Sequence, residues 1–122
     1  MSTIVVNKST KIVDIQDWFF ATFEYLKVEF YKRSHKEFQA SGNVEMIHDN
    51  LDLNSFGFNK SDYPFEIVEN LKVCEVEEKF KNELNLNVQV FRKSGGVWLQ
   101  TTSTDEWTLL EQIERAAYQE QE

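Results

Sequence analysis

Apolar positions along this chain follow a helical rhythm and an alternating one, and each rhythm occurs twice. Over residues 12–23, Ile12, Ile15, Phe19 and Phe23 step by three or four, which lines them along one face of a helix. The same steps return at Val73, Val76, Phe80 and Leu84, predicting a second helix over residues 73–84. Directly after each helix the period shortens to two. Leu26, Val28 and Phe30 alternate with polar neighbours over residues 26–33, as do Leu86, Val88 and Val90 over residues 86–93. Both stretches therefore read as strands with those residues turned to the core, and with Tyr31 and Phe91 turned away from it. A β-branched run precedes each helix, at residues 3–7 and 65–68, with Ile4 and Val6 matching Phe65 and Ile67. Pro64 stands at the entry of the second of these strands, where a missing N–H is tolerated.

These matches make an internal repeat of residues 11–34 by residues 71–94, interrupted by one extra residue in the first copy. Ser94-Gly95-Gly96 is a turn signal, so residues 97–102 return as the second arm of a hairpin. In the first half the return arm is expected at residues 43–47, after a polar connection over residues 34–42. A last helix is predicted from Leu109, with Thr108 and Glu111 forming a capping box. Its expected buried stripe is Leu110, Ile113 and Ala117, with fraying beyond Ala117. Residues 53–62 read as a loop with one helical turn. Asp14 and Glu75 occupy matching places in the first turns of the two long helices, where a carboxylate meets free N–H groups.

The expected fold class is α+β: two βαββ repeats packed as one domain, residues 3–53 and 65–119, with about six mixed or antiparallel strands and helices mainly on one face. Trp18, Phe20 and Ala21 make the first helix apolar nearly all round, so it is expected to be covered on two sides or to join an interface.

Composition narrows the function. The hydrophobic share of 41%, with ten Phe and three Trp, is ample for one core, and 122 residues leave little room for two. A net charge of −8 opposes a main role in gripping nucleic acid or an anionic membrane, both of which need a positive field. Cys74 is alone, so no intrachain disulfide forms; with no basic-then-apolar leader and no long apolar run, a cytoplasmic location is expected.

The strand–helix–hairpin order followed by Asp105, Thr108 and Leu109, with Val73, Val76 and Phe80 along the helix, resembles part of a ubiquitin-like β-grasp domain. The resemblance covers residues 65–112, with a fainter echo in 3–53, and each half has one strand before its helix where that family has a hairpin. It implies a binding or adaptor surface. The chain ends in Glu-Gln-Glu, so a conjugated modifier is not implied.

No catalytic constellation is legible, and no enzymatic role or cofactor is expected. His35 and His48 have no partners at metal-ligand spacing, and no metal is expected. His48 beside Asp49 lacks a nucleophile or second base. The sharpest local feature is a repeated phrase of aromatic, two cations and serine: Tyr31-Lys32-Arg33-Ser34 and Phe91-Arg92-Lys93-Ser94. An outward aromatic beside cations suits an acidic peptide or a phosphate, and equally an edge strand whose charges deter pairing. Trp98, on the opposite face from Val97 and Leu99, is a candidate anchor, or is covered by another element. The leading expectation is a non-enzymatic interaction or adaptor module that binds an unidentified protein through Tyr31, Lys32, Arg33, Phe91, Arg92, Lys93 and Trp98. The alternative is a small-ligand or nucleotide site between the halves, with His48, Asp49 and Arg92 converging. Closure of a sheet edge in a homodimer is a third.

Overall fold

The computed structural model describes residues 2–32 and 46–120. Among the described residues the fold is α+β, with five strands and three helices. In order these are β1 (Thr3–Val6), α1 (Ile12–Thr22), β2 (Leu26–Tyr31), β3 (Tyr63–Glu66), α2 (Val73–Leu84), β4 (Asn87–Ser94), β5 (Val97–Gln100) and α3 (Leu109–Glu120). Short 3-10 turns occupy Leu53–Phe56 and Thr102–Thr104. The first of these is the helical turn expected within residues 53–62, opened by Asp52, whose carboxylate accepts from the Ser55 N–H at 3.0 Å.

All strand pairs are antiparallel, in a two-stranded sheet β1-β3 and a three-stranded sheet β2-β4-β5. The strands before the two long helices thus pair with each other, and so do the strands after them. Within these ladders Ile4 stands opposite Phe65 and Glu29 opposite Gln89. The backbone contacts of the two halves also correspond. Ile12 N–H donates to Leu51 C=O and Leu53 N–H to Thr10 C=O; in the second half Val73 donates to Trp107 and Leu109 to Leu71.

Helix starts follow the predicted chemistry. The Asp14 carboxylate accepts the Lys11 N–H at 3.1 Å and the Glu75 carboxylate the Lys72 N–H at 2.8 Å. Thr108 and Glu111 form a reciprocal box, each side chain accepting the other's N–H.

One cluster of buried side chains spans both halves, taking in Ile15, Phe19, Val28, Phe30, Phe65, Val76, Phe80, Val88, Val90 and Leu109. The Phe80 ring is central. Its centroid lies 4.8 Å from that of Phe65, 6.1 Å from Phe30 and 6.4 Å from Phe19.

Three expectations need correction. The strand expected at residues 65–68 runs instead over Tyr63–Glu66. Pro64 sits within it opposite Val5, which a two-stranded sheet allows because each strand has an open edge. The fully buried stripe on α3 is Leu109, Gln112 and Ala116; Ile113 packs half-buried against the core as expected, while Leu110 is exposed. Bonds from Leu109 N–H to Leu71 and from Leu110 N–H to Glu69 seat Leu109 in the core, and helical spacing then turns Gln112 and Ala116 inward. The helix also continues past Ala117 to Glu120. Of the return arm expected at residues 43–47, residues 43–45 lie outside the described residues. Met46 bridges Tyr31, and Ile47 N–H donates to Phe30 C=O at 2.7 Å.

Candidate interaction surface

The hairpin β4-β5 closes through Gly95 and Gly96, with φ of 57° and 85°. Ser94 stands opposite Val97, so the loop has two residues, and two successive positive φ angles are what such a turn requires. From there Lys93 stands opposite Trp98. On the other side of β4, Phe91 stands opposite Lys27 of β2. Cross-strand partners share a face, so Lys27, Phe91, Lys93 and Trp98 lie together. The Lys27 ammonium sits 5.3 Å from the Phe91 centroid and 4.9 Å from that of Trp98. Phe20 of α1 meets Trp98 edge to face at 6.2 Å and remains 55% exposed. The side of α1 marked by Trp18, Phe20 and Ala21 is thus covered at Trp18, which packs on Phe19, Phe23 and Phe65, and open at Phe20 and Ala21.

The predicted site residues divide among several places. Phe91, Lys93 and Trp98 come together. Phe91 turns away from the core, as expected, and is buried there at 8% exposure, because β4 is a central strand and the Lys27 side chain lies over its ring. Trp98 is half-buried under Lys27 and Phe20. Tyr31, also turned away from the core, is 2% exposed, since Met46 continues the pairing beyond β2. Its hydroxyl is buried without a hydrogen-bond partner among the described residues. Burial first and the Glu29 carboxylate second push its pKa up to about 12.

Arg92 points to the opposite face from Phe91 and Lys93. It donates through Nη1 to Gln112 Oε1 at 2.7 Å and lies 5.7 Å from the Trp107 ring centroid. Burial, then the charge of Arg115, lowers its pKa. Lys32 is exposed, and Arg33 lies outside the described residues. Phe20 and Lys27 are the members of the surface that sequence reasoning missed. Phe20 had a signal, its place on the apolar far side of α1. Lys27 had none, because its contact with Trp98 depends on the register of β2 against β4.

A separate concavity of about 550 Å³ opens at the Tyr31 end of the sheet, lined by Lys32, His48, Asp49, Phe56 and Asn87 among others. His48 and Asp49 converge there; Arg92 does not. Among the described residues no group of three or more His, Cys, Asp or Glu is placed to hold a metal ion, and no helix is long and apolar enough to cross a membrane. Cys74 is half-buried at the start of α2.

The chain matches no protein-family model, no curated protein and no solved structure at a significant level.

Proposed function

We propose that this chain is a non-enzymatic protein-interaction module whose contact surface is centred on Trp98, with Phe20, Lys27 and Lys93 around it. The observation that carries this reading is the Phe20–Trp98 pair, with Phe20 exposed and the Lys27 ammonium over the half-buried Trp98 ring. Residues that dominate partner binding are enriched in Trp, and a cation over the ring adds a favourable contact. This is a local positive, apolar site on a chain of net charge −8. The corresponding contacts of the two halves support a duplicated βαββ origin, and the β-grasp resemblance of the second half agrees with an adaptor role in the cytoplasm. The test is a paired pull-down with wild type and Trp98→Ala, folding of both being checked by circular dichroism. A partner held by wild type is expected to bind the variant about thirtyfold more weakly. Equal retention by the folded variant would move the function away from this surface.

The 550 Å³ concavity favours a second reading, a small-ligand site between the halves, because Lys32, His48 and Asp49 of the first half meet Asn87 of the second there. Calorimetric titration with nucleoside monophosphates tests it. Binding weakened about tenfold by Lys32→Ala is the expected result, given the worth of a charge-assisted hydrogen bond. Absence of heat at millimolar ligand would dismiss nucleotides.

A further inference from the structure

The surface around Trp98 adjoins a strand with one side open. In the order β2-β4-β5, β5 is terminal, and no strand pairs with its outer side among the described residues. The direction of its backbone groups follows from the hairpin. In a two-residue turn the flanking residues, Ser94 and Val97, exchange hydrogen bonds, so the next pair, Lys93 and Trp98, does not. The Lys93 N–H confirms this alternation by donating away from β5, to Tyr25 C=O at 2.9 Å. The N–H and C=O of Trp98 accordingly point away from β4, across the outer side of β5.

Most exposed edge strands discourage pairing with charge, proline or a bulge. β5 is short, at four residues, but has no charge, proline or bulge: it reads Val-Trp-Leu-Gln. Val97 is 57% exposed and Leu99 42% exposed on one face. On the other face Trp98 lies beneath the Lys27 ammonium and opposite Lys93. An added strand would continue the sheet about 4.8 Å beyond β5, with its side chains alternating between these two faces. One set would meet Val97 and Leu99, and the other set Trp98 and the two lysines.

We propose, resting on the interaction reading above, that β5 is a strand-addition edge that takes an extended segment of a partner protein. That segment carries β-branched apolar residues on one face and carboxylates on the other. Main-chain hydrogen bonds to Trp98 supply register and affinity, and alternate side chains supply selectivity. Charge decides the occupant. A second copy pairing through β5 would bring Val-Trp-Leu-Gln, which has no carboxylate, to the lysine-bearing face, and would join two chains of net charge −8. A segment with carboxylates on that face meets the lysines with opposite charge.

The probe is a short synthetic peptide of alternating Val and Glu, acetylated and amidated, with a Val/Lys peptide as its charge-reversed counterpart. Amide shifts and hydrogen exchange are followed by NMR on the intact chain, and sedimentation is run on the free chain. The expected result is shift changes centred on Val97–Gln100 and exchange of the Trp98 amide slowed about tenfold or more. Weaker binding of the Val/Lys peptide, by about fivefold, is also expected, with Lys27→Glu/Lys93→Glu reversing the preference. An unchanged Trp98 amide, a preference for the Val/Lys peptide, or a free chain that sediments as a dimer with the Trp98 amide already protected would each overturn the proposal. If the pull-down retains a Trp98-dependent partner while that amide is unaffected, only strand addition fails. If the pull-down also shows no such partner, the interaction reading fails with it.

Discussion

Phe80→Ala is expected to lower the stability of the fold by about 3–5 kcal/mol. The side chain is fully buried, and its ring meets rings from three other elements: Phe19 of α1, Phe30 of β2 and Phe65 of β3. These three belong to both halves and both sheets, so no single neighbour can move into the space without leaving another contact. Truncation removes the transfer energy of the ring and leaves a cavity that collapses only in part. Domains of this size have a total stability of about 5–15 kcal/mol, so the variant should sit near the limit of folding, with a thermal midpoint lowered by roughly 10–20 °C. Urea denaturation of both proteins measures it. A loss below about 1 kcal/mol would mean that the halves are not joined through this ring.

The second large effect is alkaline. Tyr31 keeps its proton up to about pH 12 in the folded chain, against about 10 for an unfolded tyrosine. Between those values the unfolded chain releases this proton while the folded chain retains it, so folding stability falls as pH rises. The stabilisation is full below about pH 10 and is lost by about pH 12, amounting to roughly 2–3 kcal/mol at most. The informative quantity is the difference between wild type and Tyr31→Phe, which isolates this phenol. The variant should be more stable than wild type at pH 7 by about 1–2 kcal/mol, because the hydroxyl it lacks is buried without a partner among the described residues. Its advantage should widen from pH 10 upward. Denaturation midpoints that keep a constant separation across that range would show that the phenol is not held protonated by burial.

Phe80 was legible as a core residue because helical spacing marks a face without knowledge of what covers it. Tyr31 lies, as alternation implies, on the face turned away from the core, but its burial was not legible. Alternation along a strand states which side chains are opposite one another, and the inward set was right. It does not state whether the second face is open. Met46 and Lys27 decide that, and they reach Tyr31 and Phe91 from elsewhere in the chain.

Local chemistry determined a good deal of this protein. Apolar spacing placed both long helices, β-branched and alternating runs placed most strands, Gly95-Gly96 placed the hairpin, and Thr108 with Glu111 placed the start of α3. Each depends on residues within a turn or two of one another, so the interaction energies are encoded nearby. Tertiary structure alone decided the pairing of β1 with β3 and of β2 with β4, since antiparallel partners distant in sequence are chosen by the shared burial of their apolar faces. That choice carried Arg92 to Gln112 and Trp107, buried Phe91 and Tyr31, and set Lys27 and Phe20 beside Trp98. The residue types of the surface were therefore visible in the sequence, but their assembly depended on contacts between segments that no local pattern records.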